Sequence, residues 1–257
     1  MKVFRIDQLK KSLREDHEPS DSELAIYFRK CKEIMKAEKS KKFELDESVG
    51  TIFPTPREDY FNMLIAGPSG SGKSTFIGTL CKELQKKHKK ATFYVFSKIQ
   101  DDPAYQNINN VVYIKLDDSI VHEPMNIDEF KGTKECYNYL IFDDSEHLGG
   151  NPTISKALFA FMNLALTTSR HSYVNNLVVS HILLNRYYTL NALNEATYVV
   201  LYPRANMASI RNYLHRYLSF TREQTNTVKD MGRKSRWVLI HRNYPQYIIS
   251  QQQISIF

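Results

Sequence analysis

Between an apolar run and a long amphipathic pattern lies "GPSGSGKST", Gly67 to Thr75. Three glycines (Gly67, Gly70, Gly72), a proline (Pro68), a lysine (Lys73) and four hydroxyls (Ser69, Ser71, Ser74, Thr75) crowd into one turn. Glycines let a backbone curl until successive amides point inward and form a nest for phosphate oxygens. The spacing Gly67-x-x-x-x-Gly72-Lys73-Ser74 is that of a phosphate-binding P-loop. In such a loop the backbone from Gly67 to Thr75 cradles the phosphates of ATP, Lys73 reaches the β- and γ-phosphates, and the Ser74 hydroxyl ligates Mg²⁺. A following helix adds the positive end of its dipole at the same spot.

A second cluster is "YLIFDDSEH", Tyr139 to His147, an apolar run that ends in acids. This reads as a Walker B strand carrying Asp143 to the sheet edge, where it holds Mg²⁺ with Ser74 or through water. Hydrolysis also needs a group that orients and deprotonates the attacking water. Asp144 is the first choice for that base and Glu146 the second. The plainer alternative for the paired aspartates is a capped turn. Further on, "NNLVVSH" is another buried run ending in polar groups, Ser180 and His181. His181 is a candidate sensor of the γ-phosphate, against the alternative of a histidine satisfied within the core. Arg170, just before that run, is a candidate arginine finger for a neighbouring subunit's nucleotide. A local salt bridge or a DNA contact would equally occupy it.

These residues need elements to position them. "FNMLIA" (Phe61–Ala66) is short, apolar and ends at a glycine, as a buried strand does. After the loop, Phe76, Ile77, Leu80 and Leu84 fall at helical spacing over Lys73–Lys87, with lysines at the C-terminal end. Further strands are expected at Ala91–Phe96, Val111–Ile114, Tyr139–Phe142, Leu177–Ser180 and Tyr198–Leu201. Helices are expected at Thr153–Leu166, near Arg186–Asn194, and at Met207–Leu218. Continuous apolar strands alternating with helices predict an α/β fold, a parallel sheet covered by helices on both faces. "RWVLIHRNYPQYIIS" (Arg236–Ser250) reads instead as a β-hairpin turning near Asn243–Pro245, a candidate edge pair. Residues 1–50 read as an N-terminal helical appendage, with an amphipathic helix over Asp21–Phe43. Residues 51–202 form the ATPase core, entered through the extended, proline-containing "TIFPTPRED" (Thr51–Asp59), and 203–257 a basic extension of the same domain.

The bulk properties narrow the function classes. The 257-residue chain is 42% hydrophobic, enough for one large core. No apolar run approaches the roughly 18 residues of a membrane span. The longest, Ala157–Leu166, is interrupted by Asn163, and the N-terminus has no signal-peptide pattern. Cys31, Cys81 and Cys136 offer neither zinc spacing nor a disulfide framework, which fits a reducing, intracellular compartment. The net charge of +7 is confined to one segment, Pro203–Phe257, where nine Lys/Arg face Glu223 and Asp230 alone. Such clustering is the footprint of a polyanion-binding face, although a solvated basic surface is the bland alternative. Within it, "MGRKSRW" (Met231–Trp237) offers Arg233, Lys234 and Arg236 to a nucleic-acid backbone.

P-loop, strand, "LIFDD", helix, "SRH", strand with polar end and "YVVLYPR", in that order, resemble the genome-packaging ATPases of large DNA viruses and virophages. These are members of the FtsK–HerA group of DNA-pumping P-loop enzymes, the poxvirus-type ATPases being nearest in layout. The likeness spans about Asn62 to Leu218. It implies a RecA-like sheet with the sensor strand between the Walker strands, a homo-oligomeric ring, and double-stranded DNA gripped without sequence preference. It also implies a capsid or portal partner and a location in the host cytoplasm or viral factory. FtsK–HerA enzymes commonly place glutamate after the Walker B aspartate and glutamine at the sensor position. Asp144 and His181 stand there in this chain. Guanylate-kinase-type enzymes share the loop but lack the paired-aspartate strand and sixty residues ahead of it. An ABC-type ATPase would need an LSGGQ-like signature, and a structural nucleotide adaptor would need no base.

Overall fold

The computed structural model describes residues 41–44, 56, 59–145, 152–185 and 188–257. The chain divides into Met1–Lys41 and Lys42–Phe257. The expected helix over Asp21–Phe43 and the entry segment Thr51–Asp59 lie largely outside the described residues, as does Glu146. Where the helix expectation reaches Lys41–Phe43 it is corrected, because these residues form a strand (Lys41–Glu44) paired at the sheet's edge.

The strands are β1 (Lys41–Glu44), β2 (Asn62–Ala66), β3 (Phe93–Phe96), β4 (Val111–Ile114), β5 (Asn138–Phe142), β6 (Val174–Ser180), β7 (Tyr198–Leu201), β8 (Val238–His241), β9 (Tyr247–Ser250) and β10 (Gln253–Ile256). The helices are α1 (Lys73–Lys87), α2 (Ser119–His122), α3 (Pro152–Thr168), α4 (Leu190–Glu195), α5 (Met207–Leu218) and α6 (Arg222–Lys234). One 10-stranded sheet runs β1-β10-β9-β8-β7-β2-β6-β5-β3-β4. From β7 to β4 all neighbours are parallel. Beyond β7 the pairs β7–β8, β8–β9 and β9–β10 are antiparallel. The expected hairpin is therefore present, but it continues the sheet from β7 and has β10 beyond it, so β8 is an interior strand.

Alternation along the strands divides the core between the two faces. Met63, Ile65, Val95, Ile141, Val179 and Leu239 pack with Phe76, Ile77, Leu80 and Leu84 of α1. Leu64, Phe142, Val178, Val199 and Ile240 pack on the other face with α3, α5 and α6, through Leu158, Met162, Ile210, Leu214 and Val228. Each large apolar side chain so buried contributes roughly 1.5–3 kcal/mol. Gly78 sits inside α1, where glycine costs about 1 kcal/mol relative to alanine. A Cβ there would lie 2.3 Å from the Ala104 carbonyl oxygen, so the glycine lets the turn at Pro103–Tyr105 press on the helix.

Two departures from the sequence expectation have physical causes. β6 starts at Val174 rather than Leu177 because Asn175 and Asn176 are fully buried strand residues. Asn175 Oδ1 accepts the Phe61 amide at 2.8 Å, and Asn176 Nδ2 donates to Asn62 Oδ1 at 2.7 Å and Ser169 Oγ at 2.7 Å. Polar side chains here stitch β6 to the entry of β2. α6 has few apolar residues to show a helical period, yet it buries Thr225, Thr227, Val228, Met231 and Gly232. Its signal is a capping box, Thr221 with Gln224.

Candidate nucleotide site

The strand order brings the chemistry together. β6 lies between β2 and β5, so the C-terminal ends of these strands present the P-loop, His181 and the aspartate pair side by side. β6, whose end carries the candidate sensor, thus lies between β2 and β5, the candidate Walker strands, as the resemblance implied.

The loop leaves β2 at Gly67, whose amide donates to the Ser180 carbonyl at 3.0 Å. Gly70 and Gly72 have φ of 74° and 103°, left-handed values that a side chain disfavours. At Gly67 the constraint is space, since a Cβ would lie 2.6 Å from the Tyr202 ring. α1 then starts at Lys73 with no side-chain cap and no acidic residue in its first turn. Its first amides are thereby left for an anion. Ser69, Gly70, Ser74 and Thr75 are exposed, while Pro68, Ser71 and Gly72 are half-buried.

Lys73 is only 7% exposed. Its Nζ donates to the Gly67 carbonyl at 2.8 Å and the Pro68 carbonyl at 3.3 Å, and lies 3.1 Å from His181 Nδ1. Across the same imidazole, His181 Nε2 is 2.7 Å from Asp144 Oδ1. A lysine ammonium has only donors, so Nδ1 accepts and the ring is the Nε2–H tautomer that donates to Asp144. Lys73, His181 and Asp144 form one hydrogen-bonded chain.

Asp143 is 5% exposed, at the end of β5. Its Oδ2 accepts the Tyr105 hydroxyl at 2.8 Å. Burial pushes its carboxyl up to about 6, with the nearby Asp144 and Asp102 charges adding and the Tyr105 hydrogen bond and Lys73 opposing. Asp144 takes a left-handed backbone, φ 49°, which turns the second carboxylate toward His181 instead of along the strand. Two adjacent aspartates thus occupy different environments, one buried on a tyrosine and one half-exposed on a histidine. An oxygen-only set of one carboxylate and one hydroxyl suits Mg²⁺, which keeps waters and leans on substrate phosphates. Among the described residues there is no three-membered His/Cys/Asp/Glu group that would cage a metal without them.

Arg170 is exposed in a short turn, Ser169–Ser172, ahead of β6. Because β6 is parallel to β2, this is the opposite edge of the sheet from the P-loop. The seven residues of β6 put about 20 Å between Arg170 and His181. Arg170 therefore cannot serve the nucleotide of its own chain. It lines a cleft of about 1150 Å³ with Asp59, Tyr137, His171, Glu195 and Arg242.

The three C-terminal cations part company. Arg233 and Lys234 are exposed in the last turn of α6, where Arg233 Nη1 is 3.2 Å from Asp230 Oδ1, and both border a groove against β10. Arg236 instead lies over the P-loop, with its Nε 3.3 Å from where a Cβ on Gly72 would be. Sequence reasoning missed that position and also missed Tyr105. The aspartate and proline of "DDPAY" signal the turn, in which Asp102 Oδ1 accepts the Ala104 amide at 2.8 Å. Nothing local says that the tyrosine reaches a carboxylate 38 residues on. Cys81 is buried and free and Cys136 half-buried and free, while Cys31 lies outside the described residues.

A glycine loop opening an uncapped helix, a buried acid two strands away and a polar strand end between them occur together in P-loop NTPases with an inserted central strand. This chain is built on that plan. Residues 55–240 match the family described as Poxvirus A32 protein, and the chain belongs to that family. It is also similar to an uncharacterised protein, V3, of Sputnik virophage, 27% identical over 241 residues, 92% of this chain and 94% of that one. Among solved structures, B204, the DNA-packaging ATPase of Sulfolobus turreted icosahedral virus, is 14% identical with a TM-score of 0.48, covering 76% of this chain and 98% of that one. The pCW3 conjugation coupling protein TcpA is 14% identical with a TM-score of 0.45, covering 86% of this chain and 66% of that one. Among the described residues no helix is long and apolar enough to cross a membrane.

Proposed function

We propose that this chain is an ATP-driven motor that translocates double-stranded DNA and packages a viral genome into a capsid. The observation that carries ATP hydrolysis in this reading is the continuous path from Lys73 through His181 to Asp144, and membership of the Poxvirus A32 family supports the packaging role. The path ties the group that would meet the γ-phosphate to the group that would activate water. A protein that merely holds a nucleotide for structure has no use for such a path.

In this mechanism the phosphates of ATP enter the nest from Gly67 to Thr75, and Lys73 exchanges its loop carbonyls and His181 for phosphate oxygens. Ser74 and Asp143 would hold Mg²⁺, and the ion would supply charge neutralisation for the phosphates. Displaced from Lys73, His181 senses the γ-phosphate through a water that donates one hydrogen to Nδ1 and the other to a phosphate oxygen, while Nε2–H continues to steer Asp144. Asp144 takes a proton from the attacking water as the new oxygen–phosphorus bond forms, and the bond from the γ-phosphorus to the bridging oxygen breaks to leave ADP. Glu146, the second candidate base, would act in its place if Asp144 only orients.

Arg170 requires a partner subunit. In a homo-oligomeric ring it would meet the next chain's nucleotide and stabilise charge as the phosphoryl group departs, a contribution of about 10³-fold or more in enzymes that use one. A heterologous interface of this kind closes into a ring when its rotation permits. Arg233 and Lys234 would contact DNA through phosphates, which carry no sequence information and so suit a track of any sequence. The remaining partners are a capsid or portal component, inside an infected cell or its viral factory. Phosphate release from ATP tests the reading. The native chain is expected to turn over faster with duplex DNA, and Lys73→Ala to abolish turnover. Turnover indifferent to DNA, or phosphate passed to a nucleotide acceptor, would overturn it.

A further inference from the structure

The P-loop has a second side. Towards β6 and β5 stand Lys73, His181, Asp143 and Asp144, the groups for the terminal phosphates. On the other side, β7 and β8 supply Tyr202 and the segment Ser235–Trp237. That segment is fixed against the loop's own helix. The Trp237 ring, 6% exposed, meets Phe76 of α1 edge-on, with centroids 5.1 Å apart at 72°. Ser235 Oγ donates to the Trp237 carbonyl at 2.8 Å, and the Arg236 amide donates to Gln251 Oε1 at 3.4 Å. With its neighbours held, the exposed Arg236 side chain runs across Gly72, its Nε, Cδ and Cζ 3.3, 3.4 and 3.5 Å from the place of a Cβ. Glycine at position 72 therefore serves both the left-handed turn and the approach of a guanidinium to the phosphate nest.

Two polar atoms beside this approach are buried without a hydrogen-bond partner, Ser71 Oγ and the Tyr202 hydroxyl. Tyr202 is 2% exposed and its ring lies against Gly67. Burial raises its phenol well above the usual range, and the Arg236 charge opposes that. A buried hydroxyl left unsatisfied costs free energy that a ligand oxygen would recover. The same corner thus holds an exposed cation, an uncapped helix start and two unsatisfied hydroxyls.

We infer that Arg236 belongs to the nucleotide site, where its guanidinium pairs with the α-phosphate at the end of the ligand away from the catalytic carboxylates. Guanidinium is suited to such pairing because its planar donors match phosphate oxygens. The assignment rests on the nucleotide-site reading above and takes Arg236 out of the DNA-contacting set. Since the α-phosphate is common to substrate and product, Arg236 contributes affinity for both and leaves the chemical step to the other side of the loop.

The test is the affinity of native chain, Arg236→Ala and Arg236→Lys for ATPγS, ADP, AMP and adenosine, by competition against a fluorescent nucleotide. Arg236→Ala is expected to weaken the first three by a common factor of about ten and to leave adenosine unchanged, with Arg236→Lys between. An unaltered melting temperature without nucleotide shows that the variants fold. Native-like affinities in Arg236→Ala would overturn the inference, especially with a reduced salt dependence of DNA binding. An equal loss for adenosine would overturn the phosphate assignment in favour of stacking on the base. A native chain that binds none of the four would overturn the nucleotide site itself, which separates that failure from this one.

Discussion

The two ends of the parallel strands are built on opposite principles. At the C-terminal end Lys73 and Asp143 are buried, 7% and 5% exposed, and each is already engaged by protein atoms. At the N-terminal end Arg170 and His171 stand exposed on an open cleft. Burial makes a charge chemically potent, because low dielectric strengthens each interaction and shifts its protonation. Exposure leaves a charge weak until something covers it. One edge is therefore complete enough to bind and poise, and the other waits for a surface that desolvates it. In the head-to-tail ring proposed above, the closed edge of the next subunit would be that surface.

The largest effect expected is at Asp143. Its carboxyl is held up at about 6 by burial. A carboxyl with a folded pKa above its unfolded one binds more protons in the native state. Its contribution to stability is then present at low pH and is lost as pH rises from the ordinary carboxylate value through 6. Asp143→Asn removes that loss and should stabilise the nucleotide-free chain at pH 7 by on the order of 2–3 kcal/mol. The gain should vanish near pH 4 while turnover is abolished at every pH. Thermal unfolding across that pH range checks it, and a variant less stable than native at pH 7 would mean that Asp143 is not poised by burial.

The smallest effect expected is at Arg233 and Lys234. These are exposed, with Arg233 near Asp230 at 3.2 Å, so replacing both by alanine should leave folding and nucleotide affinity as they are. The slope of log affinity for duplex DNA against log salt should become shallower by about two, one for each phosphate no longer neutralised. An unchanged slope would remove them from the DNA face.

How much of this was legible beforehand differs between the two regions as well. The glycine loop, β5, the apolar part of β6 and α5 announce themselves because each is local, a spacing or an apolar run that needs no knowledge of the rest of the fold. What escaped is the part assembled across the chain. Tyr105 reaches Asp143 only because Gly78 lets a distant turn settle on α1. Arg236 looks like one of three neighbouring cations until Trp237 docks on Phe76 and turns it over the loop. α6 hid because its buried face is largely threonine and glycine. A linear pattern reports what a segment prefers, whereas these positions depend on what the segment meets.

The claim that the two edges complete one another across subunits is tested most directly by mixing. Lys73→Ala keeps Arg170 but loses its own site, and Arg170→Ala keeps its site but loses the finger. Each variant alone should be nearly inactive in ATP hydrolysis with duplex DNA. Combined in equal amounts and reassembled, random placement restores about a quarter of the interfaces, each pairing an intact P-loop with an intact arginine. The expected result is activity well above either variant alone. A mixture no more active than the variants apart, with both still assembling, would contradict the account.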